Sequence, residues 1–256
     1  MRHFIVIISV LLTLSSCQDA PSNQEKLPPV PTDTLLYSYS TVTATETVAD
    51  GTPEEDLAKA SVEYPVIKGS VLADSISAWI QKTAFYGAKD AQVFVDSFVA
   101  DAVKTKNETN STGGWYLLTE AGILYQTVKM LAAFVMSESY TGGTHGSHQF
   151  SYVNVDYTGK TLSWETILDS TKKEAMISLN DRVLRAIKQI PENRSWSQEG
   201  FLVETPQLPL PENFAFTKDG LLVCYNEYEI APYSMGPIVY TISYSQLTGI
   251  LKEGIR

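Results

Sequence analysis

The chain has 256 residues, 44% of them hydrophobic, with 19 lysines and arginines against 29 aspartates and glutamates, for a formal net charge of −10. An acidic chain without a basic patch argues against a nucleic-acid partner and against charge-driven adhesion to anionic lipid, and it is compatible with a basic partner. The two cysteines are Cys17 and Cys224.

Residues 1–16 read as targeting information. Arg2 and His3 precede an apolar run, Phe4 to Leu14, that is shorter than the roughly 20 residues a membrane span requires. Leu14-Ser15-Ser16-Cys17 then has the pattern of a bacterial lipoprotein signal, in which Cys17 is acylated and becomes the new N-terminus. The competing reading is an ordinary secretory signal with a chance cysteine. Residues 17–34, with Pro21, Pro28, Pro29 and Pro31, form an extended tether. The expected location is therefore the bacterial cell envelope, lipid-anchored through Cys17 and facing outside the cytoplasm. With Cys17 lipidated, Cys224 has no disulfide partner. Its run, Leu221-Leu222-Val223-Cys224-Tyr225, makes it a small buried hydrophobe rather than a thiolate.

From Leu35 to Val48, Tyr, Thr and Val alternate with small polar residues, a strand pattern. Gly51 to Glu55 reads as a turn. Val62 to Ile67 is a second strand, and Pro65 suggests an edge position. A helix starts at Asp74 with Ile76, Trp79, Ile80 and Thr83 on one face, and Gly87 interrupts it. A second helix follows, carrying Phe94, Val95, Phe98 and Ala102. Asn107 to Gly114 is a polar loop. Trp115–Thr127, Val128–Tyr140 and Gln149–Tyr157 are successive strands, the last ending in a hairpin-type turn at Thr158-Gly159-Lys160.

Thr171 and Glu174 have capping-box spacing for a helix whose apolar stripe is Met176, Ile177, Leu179, Val183, Leu184 and Ile187, and which Pro191 ends. Ser195 to Glu204 is expected to be a short helix, followed by a loop at Pro206, Pro209 and Pro211. Phe214 and Phe216, Leu221 to Tyr225, and Ile238 to Ser243 are three late strands, and Ser245 to Lys252 a closing helix. Runs of strands separated by blocks of helix predict an α+β fold, a mainly antiparallel sheet packed with several helices.

Two segments have loop chemistry. Tyr140-Thr141-Gly142-Gly143-Thr144-His145-Gly146 sits between two strands, and its glycines permit close approach by a partner. It lacks the Gly-Lys-Ser/Thr ending and following helix of a phosphate loop. Tyr228-Glu229-Ile230-Ala231-Pro232-Tyr233 follows a strand, in a neighbourhood that also holds Tyr225 and Tyr240. Such tyrosines either supply rigid contact area with a polar tip or pack in the core with satisfied hydroxyls. The binding candidates are Tyr140, Gly142, Gly143, His145, Gly146, Tyr228, Glu229 and Tyr233. His145 and His148 would need Glu138, Glu227 or Glu229 to complete a metal site, and nothing in the spacing brings these together. No metal, cofactor or catalytic nucleophile is expected. His145 reads as a residue that orders its loop, and His148 as exposed. The two segments are expected to meet at one edge of a single sheet.

The first segment, the strand with Asn154 and Asp156, and Thr158-Gly159-Lys160 resemble the start of the DUF3298 family. Leu208-Pro209, Asn213-Phe214, Asp219-Gly220-Leu221 and the second segment with Gly236 resemble its remainder. Thr144 and Ser234 stand where the family often has Ala. Val62 to Ile67 and the helix after it are similar to the DUF4163 region that often precedes DUF3298. The resemblance divides the mature chain into 35–136 of DUF4163 type and 137–256 of DUF3298 type. Members of the family occur as lone lipoproteins, as outer parts of anti-sigma regulators that include lysozyme-binding ectodomains, and beside polysaccharide deacetylase domains. The regulatory transmembrane and sigma-binding parts and the deacetylase domain are not expected here. The resemblance implies a non-catalytic, lipid-anchored envelope module for binding or sensing, with lysozyme or peptidoglycan as ligand. The alternative is an envelope hydrolase using His145 and Glu229.

Overall fold

The computed structural model describes residues 36–47, 57–68, 71–109 and 114–255. All of them belong to a single unit, Asp33–Arg256. Its first half is a five-stranded sheet in chain order: β1 (Tyr37–Glu46), β2 (Ala58–Ile67), β3 (Tyr116–Gln126), β4 (Met130–Tyr140) and β5 (Ser147–Asp156). Every neighbouring pair is antiparallel except β2 and β3. A parallel pair needs a long crossover, and two helices, α1 (Val71–Ala84) and α2 (Ala91–Thr109), provide it. Their apolar stripes bury Ile76, Ile80, Val95 and Val99 against Ala60 and Val62 of β2, Ala133 and Val135 of β4, and Val153 of β5. Asp90 starts α2 by accepting the Val93 N–H at 2.9 Å, which satisfies one of the helix's unpaired N-terminal donors.

The expected order of elements in this half holds, with four differences. β2 begins at Ala58, ahead of Val62. α1 begins at Val71, ahead of Asp74. α2 runs through Thr109, so the loop expected from Asn107 starts later. β2 is an inner strand despite Pro65, because its pairing with β3 stops at Glu63 and Pro65 faces only β1, opposite Tyr39. The missing proline N–H therefore falls where one side of the strand has no ladder. The signal, the tether and the turn at Gly51 to Glu55 lie outside the described residues.

After β5 the Asp156 carboxylate closes the expected turn. It accepts from Thr158 N at 2.8 Å, Thr158 Oγ1 at 2.6 Å and Lys160 N at 3.0 Å. A single-turn helix α3 (Trp164–Ile167) leads to α4 (Lys173–Lys188). The capping arrangement sits at α3, where the Ser163 N–H donates to Thr166 Oγ1 at 2.7 Å. It is not at Thr171 and Glu174, because Thr171 is already engaged by Asp169 in the 3-10 turn before α4. α4 ends at Gln189 in a left-handed conformation. Its stripe buries Met176, Leu179 and Leu184, whereas Ile187 is exposed.

Three further strands, β6 (Asn213–Phe216), β7 (Gly220–Tyr225) and β8 (Ile238–Ser243), form a separate antiparallel sheet in chain order. Ser195 to Glu204 yields one 3-10 turn, Ser197–Glu199, and Ser245 to Lys252 yields turns rather than a helix. Both segments are pinned by side chains: Arg194 Nε donates to Glu199, and the Ser243 N–H to Gln246 Oε1.

α4 also buries three polar residues, Asn180, Asp181 and Arg185. Asp181 accepts from Arg185 Nε at 2.8 Å, Trp196 Nε1 at 2.7 Å and the Leu208 N–H at 3.0 Å. The Arg185 guanidinium lies 4.4 Å over the Trp196 ring and donates to the carbonyls of Pro191, Arg194 and Pro206. Asn180 joins Tyr225 and Tyr240 through their hydroxyls. These bonds fix the proline-rich connection from Pro206 to Pro211 onto the helix, and satisfied burial of this kind is what makes such groups tolerable inside a core.

The two sheets meet along the outer edge of β5, and asparagine side chains join them. The Phe150 N–H donates to Asn226 Oδ1 at 2.7 Å, and Asn226 Nδ2 donates back to the Phe150 carbonyl at 3.0 Å. The Tyr152 N–H donates to Asn213 Oδ1 at 3.2 Å. Asn154 reverses the direction, giving Nδ2 to the Phe214 carbonyl at 2.9 Å and receiving the Phe216 N–H at 2.8 Å. Asn226 and Asn154 each give and receive one bond, as a peptide group does, and Asn213 accepts one, so the two sheets are joined through side chains rather than a strand ladder.

Candidate functional site

At one end of this seam the two loop segments come together. In the first, Gly142 and Gly143 have φ of +83° and +127°, angles that side-chain-bearing residues avoid. The Tyr140 hydroxyl donates across the bend to the Gly143 carbonyl at 2.9 Å. A Cβ on Gly146 would sit 2.9 Å from the Ser139 carbonyl oxygen, so the chain re-enters β5 only as glycine. His145 Nδ1 lies 2.8 Å from the Gly146 carbonyl, which orders the loop and leaves the ring exposed.

The second segment leaves β7 through a tight turn. The Glu229 N–H donates to the Asn226 carbonyl at 3.1 Å and the Tyr228 N–H to the Ala231 carbonyl at 3.0 Å, with Tyr228 held at φ +68°. Pro232 then starts a 3-10 turn, Tyr233–Met235. This sets the Tyr233 ring against His145, with centroids 3.8 Å apart and planes 22° from parallel. Tyr228 stands 6.2 Å from Tyr233. Tyr116 and Tyr140, cross-strand partners in β3 and β4, stack at 6.2 Å.

His148 connects the two halves. Its Nδ1–H donates to Glu227 Oε1 at 2.8 Å, and its N–H faces Glu227 Oε2 at 3.4 Å. Its Nε2 lies 3.9 Å from Glu138, the residue opposite it in the β4–β5 register. Glu138 in turn accepts the Tyr116 hydroxyl at 2.8 Å. Burial, then the bond to Glu138, pushes the Tyr116 phenol up to about 12. Desolvation and the neighbouring Glu227, Tyr228 and Glu138 also raise Tyr233. The surface is therefore an aromatic platform of Tyr, Tyr and His backed by two carboxylates.

Of the residues singled out in the sequence, His145 and Tyr233 meet across the two segments, with Tyr228 beside Tyr233, while Tyr140 stacks on Tyr116; the meeting lies between two sheets rather than at one edge of a single sheet. Glu229 is turned elsewhere. It accepts Asn226 Nδ2 at 3.1 Å and lines a groove of about 610 Å³ with Ile177, Leu202, Pro206, Leu208 and Pro209. No hydrogen bond or ion pair joins it to His145. His148, read as exposed, is half-buried and bridged. Tyr116, Asn226 and the bridging role of Glu138 and Glu227 were missed. Counting outward from the centre of the 139–147 connection pairs residue 138 with 148, a signal that was available for Glu138. Cys224 is fully buried, and burial pushes its thiol up to about 12, so it presents no thiolate at neutral pH. Among the described residues no group of three or more His, Cys, Asp or Glu side chains is arranged to hold a metal ion. No helix among them is long and apolar enough to cross a membrane.

A family model described as "Protein of unknown function (DUF3298)" matches residues 168–245. The matched stretch contains α4, the second sheet and the Tyr228–Tyr233 segment, and begins after the glycine-rich loop. No curated protein matches the chain. Among solved structures, a DUF3298 family member from Bacteroides fragilis NCTC 9343 superposes with a TM-score of 0.70 at 24% identity, covering 86% of this chain and 94% of that one. A DUF3298 family protein from Pseudomonas aeruginosa PAO1 gives 0.63 at 18% identity, covering 87% of this chain and 97% of that one. These similarities extend the shared fold across both sheets, and the family match shows that residues 168–245 are similar to DUF3298.

Proposed function

We propose that this protein is a lipid-anchored envelope module that binds a basic protein, lysozyme being the candidate, through the platform built on His145 and Tyr233. The carrying observation is the stack of these two rings at 3.8 Å, which joins loops from both halves into one exposed surface. Rigid aromatic rings with polar tips are favoured contact groups at protein interfaces. Glu138 and Glu227 behind the platform, and the net charge of −10, complement a cationic partner and disfavour anionic muropeptides. In this reading Cys17 carries the acyl chains, residues 17–34 serve as the tether, and 35–136 is the DUF4163-like part.

Calorimetry with lysozyme and, in parallel, with soluble muropeptides tests the reading. Lysozyme is expected to bind, and Tyr233→Ala to weaken it about 30-fold, the scale of an aromatic hot spot. His145→Ala weakens it in the same direction. Binding of muropeptides alone, or of neither ligand, removes the proposal. Cys17→Ala is expected to abolish incorporation of a labelled fatty acid.

A further inference from the structure

The two edges of the five-stranded sheet are treated differently. The β5 edge is closed by Asn226, Asn213 and Glu227. The β1 edge has no partner strand among the described residues, yet it runs ten residues in unbroken register. Its sequence, YSYSTVTATE, contains no proline or lysine and a single charge, Glu46. Protein edges of this length are ordinarily shortened, bulged or charged to prevent pairing. Beside it is a groove of about 850 Å³ between the end of β1 and α2, lined by Ala44, Val99, Ala100 and Val103, with Asp96 and Lys104 on the helix.

We propose that β1 and this flank of α2 form a homodimer interface, with β1 pairing antiparallel to β1 of a second copy. A twofold axis that pairs these edges stands perpendicular to the sheet, so both copies keep their helices on the same face. Paired strands lie ~4.8 Å apart. A helix that contacts both β1 and β2, as α2 does, then faces its mate at about 10 Å, a normal helix-packing distance. Of the four charges that line this groove, Glu46, Asp96, Lys104 and Glu108, one pair on α2 is self-complementary. Asp96 and Lys104 lie symmetrically on either side of Ala100, so antiparallel helices centred there set each Asp96 opposite a Lys104. Asp96 already accepts Gln92 Nε2 at 2.8 Å, which holds its carboxylate in place. A second copy meets these constraints with groups already on this surface.

Sedimentation velocity of the full chain over a concentration series is the test. A dimer is expected. Lys104→Asp and Asp96→Lys, both exposed, should each raise its dissociation constant about tenfold, since two contacts turn repulsive. The double variant Asp96→Lys/Lys104→Asp should restore it. Thr41→Pro should abolish dimerisation by removing a strand donor. A monomer at every concentration overturns the proposal. So does a dimer indifferent to the swaps, or a monomer whose β1 amides resist hydrogen exchange because another segment of the chain covers the edge.

Discussion

Replacing Asn226 with alanine removes one of the two rungs of the seam that both give and receive a bond. The amide is buried, gives and receives one bond each with Phe150 at 3.0 and 2.7 Å, and also donates to Glu229. Truncation leaves the Phe150 N–H and carbonyl without partners. Each orphaned buried group costs ~1–3 kcal/mol, and partial access of water at half-buried Phe150 reduces the sum to about 2–3 kcal/mol. For a domain of this size that lowers the melting temperature by roughly 5–10 °C. Urea unfolding followed by tryptophan fluorescence measures the change. Asn213→Ala, which removes a single bond at 3.2 Å, should cost about 1 kcal/mol. If Asn226→Ala costs no more than Asn213→Ala, the amide is not acting as a substitute peptide group and the seam argument fails.

Asp181→Ala should cost ~3–5 kcal/mol in the same assay, because it strands the Arg185 guanidinium without its buried counter-charge. A loss below about 1 kcal/mol would show that the carbonyls around Arg185 suffice alone. Cys224 should resist a thiol reagent at pH 8 in the folded protein and react fully once denatured; rapid labelling without denaturant would contradict its burial. Tyr116 has a folded value of about 12 against about 10 when unfolded. The unfolded chain therefore loses this proton first, and the contribution is intact below pH 10 and is lost as pH rises toward 12. Stability should fall across that window, and less steeply in Tyr116→Phe; identical slopes would refute the assignment.

Most elements were legible in the sequence because strands and helices declare themselves by period. The alternation in 35–48 and the stripe of Met176, Leu179 and Leu184 needed no tertiary information. The division into two sheets was not legible. It depends on Asn154, Asn213 and Asn226 acting as backbone, and an asparagine in a strand or turn has the same local signature whether it bonds to water or to a peptide group. Asn180, Asp181 and Arg185 interrupt the apolar stripe of α4 and pass for its solvated face, since their partners Trp196, Tyr225 and Leu208 are distant in sequence. The loops at 140–146 and 228–233 stood out through glycine, proline and tyrosine. The choice between His145 and His148 turned on strand register, which composition does not encode.

The asparagine seam has a mechanical consequence. The hydrogen bonds across it end on side chains, so opening along this line ahead of global unfolding is the expected outcome in a hydrogen-exchange experiment. The stacked rings of His145 and Tyr233 straddle that line, one on each side. A partner that grips both rings therefore acts as a clasp: it adds its binding free energy to the closed state. Occupancy of the platform and cohesion of the two halves become one thermodynamic quantity, and the amide protons of Phe150 and Tyr152 are where it can be read.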